Sequence, residues 1–544
     1  METQLDGIYR LEKDHPSRVW LTQPLGERGR VVDLTFREAM NEARRIATFL
    51  EKKGYPKGTR IGLFSKNTAY WIIADIAIWM AGHVTVPLYP TLTADSIRQI
   101  LEHSETRLVF VGKLDGADAM LPGIPDNVER VRMPLGPSSV KGESWEDIVR
   151  NTDPMQGNPK REPDEMATIV YTSGTTGVPK GVVHSFRTMS AARFWVDRLS
   201  LTAEDRFLSY LPLAHVAERG CLEIPTLFSG FRVFFAESLD TFVQDLRRAR
   251  PTIFGSVPRL WLKFQSGVFS KMPERRLSLL LEIPIVRTLV GKKILKGLGL
   301  DAVRHAVCGA APVPEQLLRW YASLGLQVGE LYGMSENWAL SHATLPGEFH
   351  PGWIGPKLEC CEEKLSDEGE VLVKSPGNMV GYYNAPELTA EILDSDGYVH
   401  TGDRGQIDAK GRLRITGRVK ELFKTSKGKY VSPAPIENLL LANPLVEQAC
   451  VTGSGLPQPF AIIVLAPSAK GGDVLGDLDA LRAQVNAKLD PHEHLDKIVV
   501  AKDEWTVDNG LLTPTLKLKR VAIETKYADH VERWLKSKDP VLHA

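Results

Sequence analysis

Apolar positions recur at helical spacing over 36–54 and again over 94–104, which predicts two amphipathic helices. Short runs at 60–64 and 107–111, apolar after an initial Arg, read as strands, the first of buried type. The longest apolar stretch, 71–89, is interrupted by Asp75, His83 and Pro87. A membrane span wants about 20 largely apolar residues, so this stretch reads as a buried helix running into a strand at 83–89. Helix and strand patterns alternate over most of residues 1–260, the mark of an α/β fold with largely parallel sheets. From 351 to 418 short strands lie between Gly and Asp turns, as at 369–374, which predicts a smaller β-rich subdomain. From about 420 to 544 a helix-like 435–442, a strand-like 461–465 and a helix-like 478–489 predict a separate α+β domain.

Composition narrows the class. The 544 residues carry 67 Lys+Arg and 67 Asp+Glu, and 43% are hydrophobic. This excludes a disordered tail protein, a collagen-like chain and a small disulfide scaffold. Zero net charge argues against a nucleic-acid partner, whose footprint is a basic excess. Cys221, Cys308, Cys360, Cys361 and Cys450 show no C-x-x-C spacing. They read as reduced thiols of a cytoplasmic protein with no zinc site. Residues 1–6 carry acids and no apolar run, so no signal peptide is expected there.

The strongest local signal is YTSGTTGVPKG at 171–181. An apolar strand enters a loop of Thr172, Ser173, Gly174, Thr175, Thr176 and Gly177, followed by Lys180 and another apolar strand. Such a loop offers backbone N–H groups and hydroxyls to phosphate oxygens, and the lysine adds a charge. It is not a Walker A loop: counting from Gly174, the second glycine of that pattern falls on Pro179. GLGLDA at 297–302 matches a loose dinucleotide pattern, but a lysine-rich helical stretch precedes it where a strand is required.

Other segments carry chemistry at fixed places. YGMSE at 332–336 sets Glu336 after a tight turn, where a carboxylate suits Mg2+ on a triphosphate. YVHTGD at 398–403 sets Asp403 at the end of a strand, where it can accept from both hydroxyls of a ribose. Gly417 and Arg418 precede the change of texture, and LTPTLKLKR spans 512–520. Singly, each has a plain reading: a helix-capping acid, a turn Asp, a surface cation at Lys517.

In this order and over this span, the motifs resemble the adenylate-forming superfamily of acyl-CoA synthetases, adenylation domains and beetle luciferases. The resemblance runs from about residue 34 to 520. The segments 208–219, 255–261 and 512–517 look like the long-chain fatty acyl-CoA synthetase branch; Leu516 stands where many other branches carry Gly. The resemblance implies a large N-terminal domain of two α/β subdomains plus a β-rich subdomain over 1–418. A hinge would follow at 419–420, centred on Lys420, and a small mobile α+β domain at 421–544.

It also implies the reaction: a fatty acid, medium- to long-chain, attacks ATP to give acyl-AMP, and coenzyme A then takes the acyl group. By resemblance, Thr172 and Glu336 help hold Mg2+, and the loop from Thr172 to Lys180 cradles the β and γ phosphates. The segment 308–312, with Gly309, Ala310 and Ala311, forms the adenine-side wall together with Tyr332, and Gly333 and Ser335 are further ATP-binding residues. Asp403 takes the ribose with Arg418 beside it, and Lys517 reaches the α-phosphate. His215 lines the passage between acyl and thiol sites, unless it is a packed structural histidine. Lys427 and Gly428 lie in the loop that serves coenzyme A. The alternatives are a ligase loading a free acyl carrier protein and a nucleotide-binding homologue without activity.

Residues 271–296 hold seven basic residues against two acids, interleaved with Leu, Ile and Val. Such a stretch reads either as an interfacial segment on an anionic membrane or, preferred on pattern alone, as core-facing helices over the acyl pocket. Pro284 divides it.

Overall fold

A computed structural model describes residues 1–26, 29–173, 179–469, 474–513 and 517–544. The chain forms two compact units. The first comprises Met1–Ala311, Gln316–Glu362 and Val373–Val399; the second Pro312–Glu315, Glu363–Leu372 and His400–Ala544.

Two eight-stranded sheets frame the first unit. One runs, edge to edge, Gly381–Tyr382, Pro179–Ser185, Met166–Ser173, Val84–Leu88, Arg60–Phe64, Leu108–Val111, Glu129–Arg132 and Glu143–Ser144. The other runs His342–Ala343, Val328–Tyr332, His305–Gly309, Ile253–Ser256, Arg206–Ser209, Arg232–Phe235, Val19–Pro24 and Val31–Thr35. Both are parallel through the middle and antiparallel towards an edge, as the helix–strand alternation requires.

The expected buried helix is Ala69–Met80, and every residue in it except Tyr70 is buried. Apart from Asp75 it is apolar all round because one core cluster surrounds it, drawing Trp20 and Leu21 from one sheet and Ile61 and Leu63 from the other. Helix Phe36–Lys52 closes one side, its start fixed by a capping box of Thr35 and Glu38. The pattern at 297–302 is a helix end: Gly299 is left-handed, φ 78°, and closes helix Pro284–Leu298.

The second unit packs helices on both faces of the sheet Val446–Thr452, Phe460–Leu465, Ile498–Val500, Val541–His543. Alternation sorts the faces. Ala449, Val451, Ala461 and Ile463 meet Ile436, Leu440, Leu478 and Leu481, whereas Cys450, Phe460, Ile462 and Val464 meet Ile523, Tyr527 and Trp534.

Candidate active site

Strands Met166–Ser173 and Pro179–Ser185 run antiparallel, with Thr172 opposite Lys180 and Ser173 opposite Pro179. The hairpin fixes both ends of the hydroxyl-rich loop; Gly174, Thr175, Thr176 and Gly177 lie outside the described residues. A Cβ on Gly181 would meet Ile169 Cγ2 at 2.7 Å, so only glycine lets the strands close there.

Strand Val328–Tyr332 runs into the acidic turn. Ser335–Asn337 forms one helical turn, then Trp338 and Ala339 are both left-handed, φ 52° and 57°. Such conformations cost about 1–3 kcal/mol each for non-glycine residues and persist only where neighbours enforce them. Here Ala339 N–H donates to Met334 O at 3.0 Å, and His184 Nε2–H donates to Ser335 O at 2.8 Å. Burial, helped by the Arg219 charge, pushes the His184 pKa down to about 3, so its ring is neutral at pH 7.

Glu336 is buried, and its Oε1 accepts from the Tyr382 hydroxyl at 2.7 Å. Its other oxygen has no partner among the described residues. Tyr382 lies on a two-residue strap, Gly381–Tyr382, paired with Val183 and Val182 of the loop's outgoing strand. Just before it, Met379 N–H donates to Glu336 O at 2.7 Å. Lys180 Nζ sits 5.4 Å from the Tyr382 ring centroid. One tyrosine thus touches both the loop lysine and the acidic turn. Burial, then the Glu336 charge, raise its pKa and keep it a donor. Sequence reasoning missed Tyr382, since two residues carry no periodicity; the GYYN run at 381–384 was the only sign.

Strand His305–Gly309 lies parallel to Val328–Tyr332, with Gly309 opposite Leu331. This brings Gly309, Ala310 and Ala311 beside Tyr332 and Gly333. Ala310 is exposed and left-handed, φ 66°, a further strained position at the strand end. His215 caps a short helix; its Nδ1 accepts from Ala217 N–H at 3.0 Å, which leaves the proton on Nε2. Its ring meets Tyr89 edge-on, centroids 6.3 Å apart.

Below these groups lies a fully buried guanidinium. Arg219 pairs with Asp75 and, at 2.7 Å, with Glu223, and donates to Thr168 Oγ1 at 2.8 Å. The rings of Trp71, Trp79 and Trp338 face it at 5.3–5.9 Å. Thr168 belongs to the strand entering the hydroxyl-rich loop, and Trp338 follows the acidic turn, so Arg219 ties the bases of both.

The second unit carries the remaining residues. Asp403 pairs with Arg418 Nε at 2.9 Å, the two standing opposite each other on antiparallel strands. Asp403 is not at a strand end, as its sequence suggested, but inside Val399–Ile407. Gly402 before it is left-handed, φ 69°, and kinks a strand that continues beyond. Lys420 is exposed in the short helical turn Val419–Glu421 directly after Arg418. Lys427 and Gly428 form the exposed tip joining Phe423–Lys424 to Tyr430–Val431, with Gly428 at φ 74° as a tight turn requires. Lys517 is exposed, and Thr513 N–H donates to Lys517 O at 2.8 Å; residues 514–516 lie outside the described residues.

Residues 10–383 match the family model described as AMP-binding enzyme, and 421–539 match that of the AMP-binding enzyme C-terminal domain. The chain is 31% identical to long-chain-fatty-acid–CoA ligase 1 of Cavia porcellus, over 92% of this chain and 82% of that one. It is 31% identical to the long-chain-fatty-acid–CoA ligase FadD15 of Mycobacterium bovis, over 96% of both. In fold it matches the anthranilate CoA ligase AuaEII in complex with anthranoyl-AMP, with TM-score 0.80 and 22% identity, over 97% of this chain and 98% of that one.

Proposed function

The chain belongs to the AMP-binding enzyme family, and we propose that the acid it activates is a long-chain fatty acid. It is an adenylate-forming ligase: ATP-dependent activation of a fatty acid gives acyl-AMP and pyrophosphate, and coenzyme A then takes the acyl group. The long-chain reading is supported by relatives of that name along almost the whole chain. The 512–517 segment supports it as well.

In the first half-reaction a carboxylate oxygen bonds to the α-phosphorus and the bond to pyrophosphate breaks. An anion attacks a polyanion, so catalysis is chiefly charge neutralisation and alignment. In our reading Lys180 and the loop it closes hold the β and γ phosphates, and Lys517 meets the α-phosphate and the incoming carboxylate. Asp403 accepts from the ribose hydroxyls, its carboxylate aimed by Arg418, and the shelf at Gly309–Ala311 with Tyr332 receives the adenine. Mg2+ suits this donor set. It is commonly held by one or two carboxylates together with substrate phosphates, and Glu336 has one carboxylate oxygen beyond the one Tyr382 binds. Glu336 and Thr172 would hold the ion, which would supply positive charge to offset that of the phosphates.

In the second half-reaction the coenzyme A sulfur bonds to the acyl carbon, the bond to AMP breaks, and the thiol proton is released. We assign His215 to the passage between acyl and thiol, with Nε2–H as its donor. Lys427 and Gly428 serve the coenzyme A side. Among the described residues no helix is long and apolar enough to cross a membrane. We place the enzyme in the cytoplasm, its five cysteines free thiols, drawing its acid from a membrane face.

Pyrophosphate release across acids of increasing length, with and without coenzyme A, tests the assignment. Turnover should rise with chain length and acyl-CoA should form only with coenzyme A. A maximum at aromatic or short acids would refute the long-chain reading.

A further inference from the structure

We propose that the corner between helices Glu274–Glu282 and Pro284–Leu298 is the face that docks on an anionic lipid bilayer. Leu279, Ile283, Ile285 and Leu289 are 60%, 53%, 78% and 65% exposed. The other exposed large apolar residues described are scattered along the chain. Leu279 and Ile283 are four residues apart, as are Ile285 and Leu289, so each pair shares a side. Pro284 turns the chain between them.

The corner is pinned from behind, so these side chains are not core residues out of place. Leu277, Gly291 and Leu295 are buried on its inner side. A Cβ on Gly291 would lie 2.4 Å from Leu324 O, and Arg287 Nε donates to Ser323 O at 3.1 Å. Arg247 grips the far end through Gly297 O at 2.5 Å. The expectation of core-facing helices therefore holds for one side only.

Charge identifies the occupant. Arg275, Arg276, Lys292 and Lys293 are exposed, and none is in an ion pair among the described residues. Lys292, Lys293 and Lys296 continue the outward side of Ile285 and Leu289, so basic groups rim the apolar points. The whole chain is neutral, so this excess is local. A second copy would bring the same cations against these and be repelled. An anionic bilayer offers both what the lysines need and an acyl layer for the aliphatic side chains.

The inference deepens the membrane-drawn acid proposed above and rests on it only for its purpose. Sedimentation of the full chain with vesicles, without fatty acid, tests the surface. The protein should pellet with phosphatidylcholine vesicles containing phosphatidylglycerol at low salt. It should not pellet with phosphatidylcholine alone, and should be released at high salt as screening sets in. Lys292→Gln with Lys293→Gln, and separately Ile285→Ser with Leu289→Ser, should each weaken binding about tenfold or more. Both should keep wild-type activity on a water-soluble acid, which shows that they fold. No pelleting at low salt overturns the proposal, as does binding that both variants leave unchanged. Self-association abolished by Ile285→Ser with Leu289→Ser, without vesicle binding, would assign the corner to a second copy instead. The chain-length screen needs no vesicles, so either reading can fail alone.

Discussion

At Glu336 a single hydrogen bond decides how a carboxylate presents itself. Without the Tyr382 hydroxyl, both oxygens could rotate, and the ring would still pack between Lys180 and the turn. Hydrogen bonds to a charged group contribute about 1.5–3 kcal/mol. Tyr382→Phe should therefore leave the fold intact, by its melting temperature, and weaken Mg-ATP binding roughly tenfold or more. Calorimetric titration with Mg-ATP measures this without turnover, and titrating Mg2+ at fixed ATP should shift its midpoint upward. Unchanged binding would make Tyr382 a packing residue. The residue-scale features least legible in sequence are of this kind. Ala310, Trp338 and Ala339 sit in left-handed conformations with no glycine to announce them. For Trp338 and Ala339 the contacts of the turn explain why they are tolerated.

Elements were legible where burial alone dictates the pattern. The strand expected at 60–64 is Arg60–Phe64, and the helices expected at 36–54 and 94–104 are Phe36–Lys52 and Ala94–His103. Periodicity failed to say which side of a helix meets the protein, as at 279–289, where the exposed residues are aliphatic. It also hid polar groups inside apolar elements. The segment after strand Arg206–Ser209 shows the consequence. Glu218 Oε1 accepts from Ser209 Oγ at 2.8 Å and from Tyr210 N–H at 3.1 Å, yet burial outweighs both and raises its pKa to about 8. Its unfolded value is near 4.5, so between these values the unfolded chain binds fewer protons than the folded one. This group's contribution is complete below about pH 4.5 and is lost as pH rises through about 8. Glu218→Gln keeps the acceptor and removes the titration. Relative to wild type, the variant should gain melting temperature steadily as pH rises from 4.5 to about 8, then hold a constant gap. A gap independent of pH would mean that the carboxyl is ionised in the fold.

At the scale of the whole molecule, the residues we assign to the chemistry are divided between the two compact units. The first holds Thr172, Lys180, Glu336 and Tyr382, all suited to a triphosphate. The second holds two exposed lysine-bearing loops far apart in sequence, at Lys427 and at Lys517. In our reading these serve different half-reactions. On that reading Lys517 would carry a charge for the α-phosphate, needed only while acyl-AMP forms. The Lys427 loop has its left-handed Gly428 in open space, with nothing within 4 Å of a Cβ there. That suits backbone approached closely by the pantetheine arm. Lys420 lies between Arg418 and the first of these loops, in a helical turn of only three residues, where a change of backbone angle redirects everything downstream. Lys517→Ala should therefore lose acyl-AMP formation by a hundredfold or so while still converting supplied acyl-AMP to acyl-CoA. Lys420→Pro, by fixing φ, should leave pyrophosphate release intact and block thioester formation. Single-turnover assays of the two half-reactions separate these outcomes. If both variants depress both steps equally while melting as wild type does, the division of labour between the two lysine loops is wrong, and one arrangement of the chain serves both reactions.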